Sequence, residues 1–328
     1  MKVSVEQLRQ TTYQATIKQG YDPDEANTIV EVLLYAQLRG NNQGVVKLIG
    51  AGMPKDPQAG TITIARETKI SALIDGAQRH GMVVMNRAVD LALEKAQAHD
   101  IALVGTRNTC TSTGSIGYYA SRIAQAGYVG LVSSGTGMYV SMHGSYEPLL
   151  GTNPFAIGIP STGKPIVFDM ATSGIARFGV IEAKTAGRAL PEGVAFDAQG
   201  RPTTDPAAAL AGAIRPFGGY KGAALSVIVE VLTGPLVGAS FVGFGDADRD
   251  WGNFVFVLSP ALLVDADAFR ADIARMTERL KAAKRLDGVD EIMMPGERGD
   301  AIMQAALDGG SIEIEDNLWA ALQKAAGG

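Results

Sequence analysis

Helix signals crowd the two ends of this chain, and short apolar runs of strand length fill its middle; that division restricts the folds open to it. Ser4-x-x-Gln7 is a capping box, in which a hydroxyl and an amide each satisfy a backbone group, and it predicts a first helix running to about Gln19. Asp22-Pro23-Asp24-Glu25 supplies an N-cap, a proline at the first helical position and a capping acid. The helix that follows sets Ile29, Val30, Leu33 and Leu34 at core spacing and ends near Arg39-Gly40. A loop over 41–44 precedes Val45-Val46-Lys47-Leu48. Strands are expected at 62–64, 70–74, 101–105, 129–132, 156–159, 166–168 and 254–258, with helices at 82–99, 115–125, 171–186 and 223–236 among them. A charged amphipathic helix over 267–286, a short helix, a strand at 312–314 and a last helix from about Asn317 close the chain. The pattern predicts an α/β or α+β middle flanked by helical termini that pack together.

Composition narrows the function. A formal net charge of -5, with no run of Lys or Arg, gives no basic field for nucleic acid. An anionic substrate would have to be held by a few placed cations. The lone cysteine, Cys110, excludes an intrachain disulfide framework and a cysteine-based zinc site, and it suits a cytoplasmic protein. Three scattered histidines offer no ligand spacing, so no metal is expected. The N-terminus enters helical polar sequence at once and carries no secretory leader pattern. The apolar stretch from Ala223 to Val237 includes Glu230 and is shorter than the ~20 residues a bilayer needs, so it reads as a buried helix.

Several glycine-rich segments could approach a phosphate. Gly218-Gly219-Tyr220-Lys221-Gly222 directly precedes the apolar helix, where backbone amides carry roughly half a positive charge. Taken alone it reads better as a glycine-rich turn with a surface lysine. Asn108-Thr109-Cys110-Thr111-Ser112-Thr113-Gly114-Ser115 lies between a strand and a helix, and its hydroxyls suit either phosphate oxygens or an ordinary cap. Gly50-Ala51-Gly52 and Gly135-Thr136-Gly137 lack the remaining glycine of the Rossmann fingerprint, and no Walker A loop is present.

The order of four segments is more specific. His143-Gly144-Ser145-Tyr146-Glu147-Pro148 is followed by Leu150-Gly151-Thr152-Asn153-Pro154, then Val167-Phe168-Asp169-Met170-Ala171-Thr172-Ser173, then Pro216-Phe217-Gly218-Gly219-Tyr220-Lys221-Gly222. Together they resemble the malate/L-lactate dehydrogenase-like family of NAD(P)-dependent oxidoreductases, and the likeness runs from the first helix to Glu297. It implies an α/β (α+β) fold that is not a Rossmann fold: the L-sulfolactate/malate dehydrogenase-like fold, with a central, largely antiparallel sheet. It further implies a helical domain built from 1–65 and 265–328, a cofactor-binding and substrate domain over 66–264, and a homodimer with its active site between domains. The resemblance makes Ser112, Thr113, Gly114, Ser115, Asp169, Met170, Ala171, Lys221, Gly222, Pro295, Gly296 and Glu297 contacts of NADH or NADPH.

One departure bears on mechanism. Family members carry Ser-His-Gly-Val/Ile-x-Arg after the second helix, the histidine giving a proton and the arginine holding a carboxylate. Here the segment is Asn42-Gln43-Gly44-Val45-Val46-Lys47. Gln43 can orient a carbonyl or imine but cannot protonate an alkoxide. Lys47 can hold a carboxylate as a point charge, Asn42 lies beside it, and Thr152 lines the nicotinamide pocket by the same resemblance. His143 and Tyr146, next to the Gly-Thr-Asn-Pro loop, are substitute acids; His143 reads equally as a loop histidine bonded to backbone. The expected reaction is hydride transfer to C2 of a small 2-imino or 2-oxo acid. The missing donor favours C=N, because an iminium ion arrives protonated. The alternatives are a catalytically inactive nucleotide-binding relative, or a 2-hydroxy acid dehydrogenase using His143 or Tyr146.

Overall fold

The computed structural model describes residues 1–327 apart from Asn42, Cys110 and Ala247. The readings of Asn42 as a substrate contact and of the lone cysteine therefore fall outside the described residues. In chain order the elements are β1 (Lys2–Ser4), α1 (Val5–Lys18), α2 (Pro23–Leu38), a 3₁₀ turn (Val45–Leu48), β2 (Thr63–Glu67), β3 (Ser71–Asp75), α3 (Gly81–His99), β4 (Ile101–Thr109) and α4 (Gly117–Gln125). There follow β5 (Val129–Ser134), β6 (Val140–Ser141), β7 (Pro148–Leu150), β8 (Phe155–Ile159), β9 (Ile166–Met170), α5 (Arg177–Thr185), β10 (Ala195–Phe196), α6 (Pro206–Ala211) and β11 (Ala213–Ile214). The last elements are α7 (Tyr220–Thr233), β12 (Trp251–Leu258), α8 (Ala266–Lys281), α9 (Glu297–Asp308), β13 (Ser311–Glu313) and α10 (Asp316–Ala326).

Both capping predictions hold. The Gln7 amide donates to Ser4 Oγ at 3.1 Å, and the Glu25 amide donates to the Asp22 carboxylate at 3.0 Å. The main sheet has the order β2-β3-β4-β12-β5-β8-β9. Its pairs are antiparallel except β3 with β4, so the sheet is largely antiparallel, as expected. β12 comes late in the chain yet sits in the middle, and its Val255 and Val257 are wholly buried. Strands β10, β11, β6 and β7 make a smaller sheet.

The two ends of the chain meet. β1 pairs antiparallel with β13, and the N-terminal ammonium donates to the Ile314 carbonyl and the Asp316 carboxylate, each at 2.7 Å. Leu8, Ile29 and Leu33 share a core with Trp319 and Leu322, and that core continues through Met85 and Val89 into the sheet at Val104 and Val132. A second, smaller core joins Val140, Leu150, Val180, Leu190 and Ile214.

Two expectations need correction. The helix expected from residue 171 begins only at Arg177. Thr172 is drawn off by the Thr152 carbonyl, which accepts from its amide at 2.9 Å and its hydroxyl at 3.1 Å, while the Gly174 amide donates to Arg215. The stretch expected as a buried helix is α7, and one side of it is open: Val227, Ile228 and Val231 are 37%, 57% and 50% exposed. Apolar residues on every side of a helix do not by themselves require that its own chain cover every side.

Candidate active site

The site is built around the 3₁₀ turn after α2. A Cβ on Gly44 would come within 2.4 Å of Gln37 Oε1, so only glycine lets the turn close on α2. Gln37 Oε1 then accepts from the Val45 amide at 3.1 Å. The turn drives Lys47 inward, and its side chain is 2% exposed. Lys47 Nζ donates to Ser112 Oγ at 2.8 Å and lies 3.4 Å from the ring centroid of Phe178. Among the described residues no carboxylate stands within ion-pair distance of it. Burial drives its ammonium well below the usual lysine range.

A histidine that the sequence reading passed over lies near this lysine. His80 caps α3: its Nδ1 accepts from the Met82 amide at 3.1 Å, and its ring meets Tyr21 edge-on at 5.3 Å. An accepting Nδ1 puts the proton on Nε2, which is buried without a hydrogen-bond partner among the described residues. Burial, and secondly the charge of Lys47, hold His80 down to about 3, so it stays neutral. Histidine is not among the usual cap residues, which hid this role.

A cavity of about 600 Å³ brings together Gln43, Lys47, the Ser112–Ser115 loop, Thr152 and the Asp169–Ala171 step. Tyr139, Arg177 and Phe178 also line it. The Arg177 guanidinium carbon lies 3.9 Å from the Tyr139 ring centroid. A second cavity, about 420 Å³, shares Asn41, Ser115 and Asp169 with the first and is bounded by Pro295 and Gly296. Asp169 joins the two: its carboxylate accepts from Ser115 Oγ at 2.7 Å and from the Gly117 amide at 2.9 Å. Burial pushes its carboxyl above the ordinary range, although those bonds and the charge of Arg39 pull it down.

The Gly-Thr-Asn-Pro segment has a structural explanation. A Cβ on Gly151 would fall 2.4 Å from Asn153 Oδ1 and 2.5 Å from Thr136 Oγ1. Asn153 is fully buried with φ 40°, and its Nδ2 donates to Glu230 at 2.7 Å and to the Ser226 carbonyl at 3.1 Å. That ties the loop to α7 and accounts for the acid in an apolar helix. Thr152 is left facing the cavity.

Other candidates stand outside the lining of both cavities. His143 meets Tyr220 at 6.3 Å, and Tyr146 is 55% exposed beside Gly200. Lys221 is exposed at the start of α7, and Gly222 is packed on Phe217. Glu297 accepts from Lys281 at 2.7 Å and from the Met294 amide at 2.9 Å, a set of bonds that fixes the start of α9. Among the described residues no cluster suits a metal ion, and no helix is long and apolar enough to cross a membrane.

Two neighbouring cavities that share Asn41, Ser115 and Asp169, with hydroxyls at a strand-to-helix junction, offer a polar lining of the kind that suits phosphate oxygens. Comparisons with known proteins show the family. The chain matches the family model for malate/L-lactate dehydrogenase over residues 3–323. It is 40% identical over 287 residues to the L-sulfolactate dehydrogenase of Methanothermobacter thermautotrophicus, covering 84% of this chain and 82% of that one. It superposes on the malate dehydrogenase of Entamoeba histolytica with a TM-score of 0.90 at 25% identity, covering 100% of this chain and 97% of that one. The delta1-piperideine-2-carboxylate reductase of Pseudomonas syringae pvar. tomato gives a TM-score of 0.84 at 28% identity, covering 99% of each chain.

Proposed function

This chain belongs to the malate/L-lactate dehydrogenase family and is an NAD(P)-dependent oxidoreductase, and from that premise we propose that it passes hydride between a nicotinamide and C2 of a small 2-oxo or 2-imino acid. The observation that carries the reading is a single cavity lined by Gln43, Lys47, Ser112–Ser115 and Asp169–Ala171 together. Bound NADH or NADPH supplies the hydride. Lys47 holds the substrate carboxylate. The Gln43 amide orients the carbonyl or imine, and Thr152 borders the reacting carbon. The hydroxyls of the 112–115 loop hold cofactor oxygens, with Pro295 and Gly296 in the neighbouring second cavity. An iminium substrate needs no acid at position 43. Both bond types occur among the relatives' names, a sulfolactate dehydrogenase and a piperideine-2-carboxylate reductase. The names of the relatives compared above do not favour an inactive nucleotide-binding role. Two copies pair through the open face of α7, where Val227, Ile228, Val231 and Leu236 would leave water.

The test is a titration with NADH and NADPH by fluorescence, then turnover of 2-oxo acids with and without methylamine, and of cyclic 2-imino acids. Saturable cofactor binding and turnover of at least one class are expected; a protein that binds neither cofactor would overturn the reading. I228E is expected to shift the sedimentation coefficient from dimer to monomer.

A further inference from the structure

We infer that Lys47 does two things to one substrate: it holds the carboxylate, and it hands a proton to the C2 oxygen in place of the imidazole missing at position 43. The inference rests on the hydride-transfer reading above.

It follows from what lines the cavity. An acid must reach the reacting atom and release a proton near neutral pH. Serine and threonine hydroxyls are too weak, and the Gln43 amide is no acid. Arg177 lies over the Tyr139 ring, and a guanidinium does not serve as a general acid. Tyr139 carries that guanidinium on its ring, and burial, opposed by Arg177, pushes its phenol up. Asp169 is occupied with Ser115 and the Gly117 amide. Among the described residues Lys47 remains, buried at 2% exposure, with a hydroxyl and an aromatic face in place of a counter-ion. His80, whose imidazolium Lys47's charge disfavours, is neutral. An ammonium has three donors and Ser112 accepts one, which leaves capacity for a ligand. A planar 2-oxo acid sets a carboxylate oxygen beside its C2 oxygen, so one ammonium reaches both.

The steps balance. The arriving carboxylate favours the charged lysine, so substrate binding loads the proton. As two electrons and a proton reach C2 as hydride, the C2–O π bond opens toward oxygen. One Nζ–H bond breaks and one O–H bond forms. The products are a 2-hydroxy acid and a neutral amine, and water reprotonates the amine once the product leaves. In the oxidative direction the neutral amine is the base. A substrate that arrives as an iminium ion already holds its proton and makes no such demand.

The test is K47R, which keeps the positive charge but holds its proton far more tightly. The ratio of kcat for a 2-oxo acid to kcat for a cyclic 2-imino acid is expected to fall on the order of 10²–10⁴-fold. The high-pH fall in 2-oxo acid turnover, set in the wild type by loss of the Lys47 proton, is expected to vanish. Q43H in the K47R background is expected to raise 2-oxo acid turnover again, at least about tenfold. A ratio unchanged within about threefold, or a high-pH limb that persists, would overturn the inference. If K47R does not fold by circular dichroism, S112A decides: without its acceptor the ammonium is more acidic, and the wild-type limb moves to lower pH. An unmoved limb there overturns the inference as well. A wild-type enzyme that reduces neither class overturns the hydride reading and this inference with it. Turnover without the split overturns the inference alone.

Discussion

Two buried charges near the helical end of the molecule are treated in opposite ways. Glu25, 6% exposed in the first turn of α2, receives Lys55 at 2.6 Å and Arg79 at 2.5 Å, with Asp22 behind them. Lys47, 2% exposed just beyond the end of α2, has a serine hydroxyl and the face of a phenylalanine. Removing a charge from water costs several kcal/mol, and ion pairing with further hydrogen bonds is the usual offset. At Glu25 the fold supplies that offset from its own residues. At Lys47 the described residues supply one hydroxyl and one aromatic face and no carboxylate within ion-pair distance. The first arrangement builds structure, and the second is the one on which the proposed anion binding and proton transfer rest.

The contrast can be broken by measurement. Its largest expected consequence for stability lies on the unpaired side, at His80. Its folded value sits near 3 and the unfolded value near 6.5, so the native state holds it neutral while the unfolded chain takes up a proton. Stability is complete above pH 6.5 and is lost as pH falls toward 3, by on the order of 4 kcal/mol. H80N can still accept from the Met82 amide, and it should flatten that part of a plot of Tm against pH; an unchanged slope would place the titration elsewhere. On the paired side, E25Q strands Lys55 and Arg79 and should cost roughly 3 kcal/mol in urea unfolding, with little effect on the pH limb of turnover. A cost below about 0.5 kcal/mol would mean that the cluster contributes no more than surface charges do. The smallest effect is expected at Arg9 and Glu31, an ion pair between half-exposed side chains on α1 and α2. R9A should change stability by less than about 1 kcal/mol, and less again in high salt.

Much of this architecture was legible in the residues. Ser4 with Gln7, and Asp22 with Pro23 and Glu25, marked helix starts that the backbone adopts, because a cap depends on neighbours three residues away. The short strands β6, β7, β10 and β11 were missed. Each has only two or three residues, and what defines it is the strand beside it. The start of α5 was placed too early because the Thr152 carbonyl competes for Thr172 from twenty residues away. At the site, Gln43, Lys47, the 112–115 loop, Thr152 and 169–171 were named and share one cavity, while His143, Tyr146, Lys221, Gly222 and Glu297 lie outside it. Asn153 stands out in the sequence as a motif residue, but its tie to Glu230 depends on where α7 lies, which no local pattern specifies.

Taken by itself, the order of residues determined the capped helices near the N-terminus, the apolar runs that become the sheet, and the glutamine at position 43, where the family resemblance implies a histidine. These are local facts, set by side-chain chemistry and by spacings of two to four residues. Tertiary structure alone decided that Lys47 is sealed from water without a carboxylate, that His80 is held neutral near it, and that α7 leaves an apolar face open. Burial and charge environment are properties of what surrounds a residue. At these positions the surroundings come from segments tens of residues distant, brought together only when the sheet and the terminal helices close on one another.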